Sequence, residues 1–142
     1  LTGQAEQYDV ASELFRLALQ ADQSKAERVF RALAAVLMEA EQYAEAADVY
    51  QEALNHPRAQ GNKINNLLSM AFALEMSGKT KEALAAVDQS RALLPQGDAV
   101  FDYREAWIYY HSNQFQTAIH KYEAFLTKSP SSRSSRPVKF SW

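Results

Sequence analysis

The three histidines are the first residues to weigh for chemistry, because imidazole exchanges protons near neutral pH and is the commonest metal ligand. His56, His111 and His120 form no paired-ligand spacing of the H-E-x-x-H kind. His111 is expected at a helix end, where positive character is favoured by the helix dipole. The carboxylates Glu39, Glu41, Glu45, Asp48 and Glu52 spread over two predicted helices. Such a run reads as a solvated face rather than a general acid and base aimed at one substrate. The sequence contains no cysteine, which removes thiolate nucleophiles, thiolate metal sites and disulfides together. It also lacks a glycine-rich phosphate loop and a nucleophile elbow. The expectation is a chain that is not an enzyme, with no catalytic, cofactor-binding or metal-binding residues and no cofactor.

The elements that carry these residues follow from composition. A chain of 142 residues, 47% hydrophobic and 23% charged, is long enough for one domain with its own core and too short for two ordinary ones. Only four glycines and four prolines interrupt a sequence rich in Ala, Leu, Gln and Glu, so the fold class expected is all-α and soluble. A formal charge of −2 provides no field to gather phosphate backbone or anionic lipid, and nucleic acid is not expected as a partner. No apolar run approaches the roughly 20 residues of a membrane span, and no charged-then-apolar leader precedes the first helix, so direct membrane insertion of this segment is not expected. The chain opens on Leu1 rather than Met and is read as a piece of something longer.

Internal repetition organises the chain. The segments QYDVASELFRLAL, QYAEAADVYQEAL, KTKEALAAVDQSRAL and QFQTAIHKYEAFL align on Ala11, Ala46, Ala83 and Ala118, at intervals of 35, 37 and 35 residues. Four places after each alanine stands a bulky residue, Phe15, Tyr50, Val87 and Tyr122; three places further on, Ala18, Ala53 and Ser90 are small and Phe125 is the exception. Pro57, Pro95 and Pro130 close the last three units, because proline cannot continue a helix. A second periodic segment precedes each of those three, with small residues at Ala34, Ala71 and Ala106 and apolar pairs such as Leu33 with Leu37 and Met70 with Leu74. Each unit is therefore two helices and a short turn. Small residues fall where helix backbones cross closely, and large ones fill the grooves between ridges.

In these aligned positions the chain resembles the tetratricopeptide repeat family. The resemblance covers residues 1–130, with three complete hairpins at about 27–57, 64–95 and 99–130 and a partial unit at about 1–23 that supplies one N-terminal helix. It implies a right-handed superhelix of antiparallel hairpins, an α-solenoid whose repeats bury one another's apolar faces and leave a concave groove. The sequence departs from the family in three respects. Alanine replaces the usual glycine of the first helix, Glu105 stands where other units have Leu33 and Met70, and the link HPRAQGNKI is a few residues long.

The resemblance also implies which side chains line the groove. First helices of such hairpins form the concave wall, which places Arg28, Arg31, Ala35, Met38 and Glu39 there from one unit. The next unit contributes Asn65, Leu68, Ser69, Phe72, Glu75 and Met76, and the last Val100, Tyr103, Arg104, Trp107, Tyr110 and His111. The partner-binding residues expected are Arg31, Met38, Asn65, Leu68, Phe72, Tyr103, Arg104, Trp107 and Tyr110. Rigid aromatics and planar arginine donors suit capture of an extended peptide or a partner helix. Aromatics on a terminal hairpin also serve as packing, and for Trp107 and Tyr110 both readings stand; Phe72, mid-array, is read as groove-facing and Tyr109 as core. Chaperone-binding members of the family clamp acidic C-termini with basic residues and two asparagines. Arg31 and Arg104 meet the basic positions, but Ala35 and Ser69 occupy the asparagine positions, so that clamp is not expected.

The function expected is a non-catalytic protein–protein interaction scaffold, with a self-assembly or spacer module as the alternative. The tail 131–142 is serine-rich and basic and ends in Pro137, Phe140 and Trp142; it reads as a linker, or as a docking segment able to mediate self-association by occupying an aromatic groove. The last hairpin is similar to those of bacterial envelope-assembly proteins, which leans localisation toward the envelope.

Overall fold

The computed structural model describes residues 2–94 and 98–128. The tail 131–142, with its proposed docking of Phe140 and Trp142, and the punctuating Pro95 and Pro130 lie outside the described residues. Seven helices occur among them: α1 (Thr2–Ala21), α2 (Ala26–Glu39), α3 (Tyr43–Asn55), α4 (Lys63–Met76), α5 (Thr80–Ala92), α6 (Ala99–His111) and α7 (Phe115–Lys128). A 3-10 turn, Gln23–Lys25, joins the first two and is capped by the Asp22 carboxylate, which accepts from the Ser24 amide. No strand occurs among the described residues.

Helices α2 and α3, α4 and α5, and α6 and α7 pair as hairpins, and consecutive hairpins pack through α3 on α4 and α5 on α6, with α1 laid against α2. The crossings form where the aligned small residues lie. Ala34, Ala46, Ala71, Ala83 and Ala106 are all wholly buried. With only a methyl group at each crossing, the backbones approach closely and Leu33, Leu37, Leu67, Met70, Val87, Phe101 and Ile108 fill the flanking grooves, all of them buried. Tyr109, expected in this core, is only half-buried, as is Leu74.

The hairpin turns share a device that single segments do not reveal. Glu41, Gly78 and Asn113 each occupy the left-handed region, at φ of 60°, 82° and 66°. Each is the central residue of its three-residue turn and stands five places before its repeat's alanine. The next residue, Gln42, Lys79 or Gln114, donates its amide back to the carbonyl of Leu37, Leu74 or Tyr109 at 2.8 Å. Glu41, Gly78 and Asn113 themselves donate to Met38, Glu75 and Tyr110. This is the Schellman arrangement, which satisfies otherwise orphaned carbonyls at the end of the first helix. Glycine suits the position and asparagine tolerates it, whereas glutamate pays a steric penalty there. Glu41→Gly is accordingly expected to raise unfolding free energy by about 1 kcal/mol, read as a rise in urea midpoint at unchanged slope.

The long link between α3 and α4 is held in place. Ala59 is buried, the His56 ring meets Phe30 edge-on at 5.6 Å, and the Gln60 amide donates to the carbonyls of Leu54 and His56 at 2.9 and 2.7 Å. These contacts let seven residues pass between hairpins without shifting the stack. Asp98, the N-cap of α6, receives the Val100 amide at 2.8 Å and starts the last hairpin.

Candidate partner-binding groove

Helices α2, α4 and α6, the first of each hairpin, contribute together with α3 to a pocket of about 230 Å³ lined by Met38, Tyr50, Asn65, Leu68, Ser69, Phe72 and Arg104. Its base is apolar. Met38 and Phe72 are half-buried and Leu68 is buried, presenting only part of its side chain to the pocket. Asn65 lies exposed at the rim. Tyr50, from the second helix α3, contributes a ring whose hydroxyl is hydrogen-bonded to Ser69, and burial raises its pKa above the ordinary tyrosine value.

Arg104 supplies the pocket's charge. Burial lowers its guanidinium to about 10, an effect only partly offset by attraction to Tyr103. At neutral pH it is still a cation, held where water solvates it poorly, and an incoming carboxylate would meet less screening there than at the surface.

Of the nine residues expected to meet a partner, five line this pocket: Met38, Asn65, Leu68, Phe72 and Arg104. The other four sit elsewhere. Arg31 is exposed on α2 and faces Glu27 across one helical turn at 4.0 Å. Tyr103 turns toward α7, with ring centroids 6.4 Å from Tyr122 and 5.3 Å from Phe125. Trp107 is 3% exposed and stacks on Phe72 at 4.8 Å, so the structure places it in packing rather than on an open wall. Tyr110 remains 45% exposed and edges onto Phe115 at 5.7 Å. Glu75, another residue expected on the wall, is buried and accepts a hydrogen bond from the Thr80 hydroxyl at 2.8 Å.

The Phe72–Trp107 pair belongs to a ladder of rings. Tyr43 meets Phe72 edge-on at 6.1 Å, and Trp107 continues to His111 at 4.1 Å, so aromatic contacts run from α3 through α4 to α6. Tyr50 was the pocket residue that the repeat alignment did not single out as a contact. The signal was its polar tip: a bulky position filled by tyrosine, opposite Ser69, marks the edge of a core rather than its centre.

The arrangement of hairpins can be set beside known proteins. No protein-family model matches the sequence, and no curated protein matches it. Solved structures do match. The structure described as "MamA RS-1 ArsTM double mutant", a tetratricopeptide-repeat protein, superposes with a TM-score of 0.65 over 94% of this chain and 72% of its own, at 15% identity. This chain has the tetratricopeptide fold. Within a tetratricopeptide solenoid, α2, α4 and α6 are first helices, and α1, α3, α5 and α7 are second helices. The pocket then lies on the first-helix side, at the junction of all three hairpins. Among the described residues no group of three or more His, Asp or Glu side chains could hold a metal ion, and no helix is long and apolar enough to cross a membrane.

Proposed function

We propose that this chain is a non-catalytic scaffold that holds an extended peptide or a helix of another protein in the groove formed by α2, α4 and α6. The observation that carries the reading is the pocket itself. An apolar base of Met38, Leu68 and Phe72 is joined there by amide, hydroxyl and guanidinium groups from Asn65, Ser69 and Arg104, the mixture of apolar surface and a few convergent polar groups that ligand sites use. The composition suits a partner segment that brings one apolar side chain and one carboxylate or backbone carbonyl together.

The test begins with affinity capture and mass spectrometry to obtain a partner, followed by calorimetry on the mapped peptide. Arg104→Ala is expected to weaken binding by about 2 kcal/mol, a hot-spot magnitude, with the far-ultraviolet helical signal preserved. Unchanged affinity for Arg104→Ala together with Asn65→Ala would remove the groove from consideration.

Self-assembly is a second reading with one observation in its favour. Tyr110, Phe115 and Ile119 are 45%, 51% and 52% exposed on the last hairpin, an apolar patch of the kind that subunits cover. Light scattering across a concentration series separates the two readings, since only self-assembly makes the mass depend on protein concentration and on Phe115.

A further inference from the structure

A second cavity lies among α3, α4 and α5, in the middle of the array. It has about 260 Å³ and shares no lining residue with the groove. Its floor is apolar, from the buried Met70 and the half-buried Leu74 of α4. Exposed polar side chains line its sides, Asp48 and Gln51 from α3 and Glu82 and Gln89 from α5. Among the described residues no lysine or arginine lines this trough, and neither Asp48 nor Glu82 takes part in an ion pair.

The repeat supplies two further junctions for comparison, and in both the chain closes the same place with its own cation. Arg16 stands five places after Ala11 and Glu52 six places after Ala46; the guanidinium donates both terminal nitrogens to that carboxylate at 3.1 Å, tying α1 to α3. The same two positions at the middle junction are Gln51 and Gln89, which line the open trough. At the last junction, Lys121 stands three places after Ala118, and its ammonium lies 3.3 Å from Glu105, the residue before Ala106. Their middle counterparts are Ala86 and Met70, and both line the trough as well. The middle junction therefore keeps two acids and lacks either closing cation. Lysine and arginine lay their aliphatic stems along apolar surface while the charged head stays near water. A stem over Met70, Leu74 and Ala86, with its head beside Asp48 and Glu82, matches the trough in shape and in sign. The trough opens away from where the chain leaves the last hairpin. Lys128, at the end of α7, is 2.7 Å from Asp102, which is 3.8 Å from Arg91. Glu82 stands nine residues before Arg91, about 14 Å back along α5, so α7 finishes at the end of α5 remote from that carboxylate.

We propose that the trough between α3 and α5 docks a segment of another protein that inserts a lysine or arginine side chain flanked by apolar residues, a contact surface separate from the groove of α2, α4 and α6. The probe is a fluorescein-labelled heptapeptide of alternating leucine and lysine, with a glutamine-for-lysine twin as control. Fluorescence anisotropy with the 142-residue chain is expected to show saturable binding of the lysine peptide alone, weakening as salt rises. Asp48→Asn combined with Glu82→Gln is expected to weaken binding about fivefold, the scale of two exposed ion pairs. Gln51→Arg combined with Gln89→Glu copies the Arg16–Glu52 bridge at exposed positions and is expected to close the trough, weakening binding about tenfold or more. Arg104→Ala is expected to leave the affinity unchanged, which separates this surface from the groove. No saturable binding, equal binding by the twin, or equal binding by either double variant with unaltered circular dichroism overturns the proposal, as does weakened binding by Arg104→Ala. A dimer that Asp48→Asn with Glu82→Gln dissolves would make the occupant a second copy, and overturns it. A severalfold gain in affinity when Arg133, Arg136 and Lys139 are all replaced by glutamine would make the occupant the chain's own tail, and likewise overturns it.

Discussion

Truncating Trp107 to alanine is expected to lower the unfolding free energy by about 3 to 5 kcal/mol, the range for emptying a buried large aromatic site. Trp107 is 3% exposed, with its ring stacked on Phe72 of the preceding hairpin and against His111 one turn along its own helix. Removing it leaves a void at the junction of α4 and α6, where the middle and last hairpins meet. In a solenoid, each repeat is stabilised largely by its neighbours, so weakening one junction loosens the terminal hairpin first. Urea unfolding followed by circular dichroism should therefore show a lower midpoint. A cost below about 1 kcal/mol would place Trp107 among surface residues and return it to the groove. The contrast with Arg104→Ala is informative. Two residues three apart on α6 should separate cleanly, one altering folding and the other altering binding.

That separation shows why the fold was more legible than the site. The repeat could be read because helix crossings demand small residues at fixed spacing. Ala46, Ala83 and Ala118 answer that demand, and no other feature of the chain competes with it. The left-handed turn was written in the same register, at Gly78 and Asn113, but Glu41 at the first copy hides the pattern until all three are aligned. Assigning wall residues is harder, because helix periodicity places a residue on a face without saying what the neighbouring hairpin does to that face. Trp107 and Arg104 both belong to the inner side of α6 by spacing, and the approach of Phe72 decides which of them is covered. Tyr50 entered the pocket from a second helix, a contribution that a first-helix rule could not contain.

Glu105 was the position where the repeat pattern failed, and it carries the other large expected effect. Buried at the site that Leu33 and Met70 fill in the other hairpins, its carboxylate pairs with the Arg91 guanidinium and lies 3.3 Å from the Lys121 ammonium. Asp102, one turn earlier and equally buried, is 3.8 Å from Arg91 and 2.7 Å from Lys128. Arg91 thus bridges two buried acids from α5, and its guanidinium also lies over the Phe101 ring at 5.6 Å. Desolvating two carboxylates is costly unless each keeps a partner, and the asymmetry between breaking a buried pair and replacing it supplies the test. Arg91→Ala removes the shared cation and leaves Asp102 and Glu105 to the lysines of α7. Because Arg91 is itself a third exposed, the loss should fall near the lower end for such breaks, about 3 kcal/mol. Restoring the apolar pattern, with Glu105→Met combined with Arg91→Met, should recover most of that loss, since a methionine already serves at position 70. Urea denaturation of the wild type, both single methionine variants and the double variant closes a thermodynamic cycle whose coupling term measures the pair directly. A coupling near zero would mean that solvent already screens these charges. In that case the departure at Glu105 would contribute nothing to holding α5, α6 and α7 together.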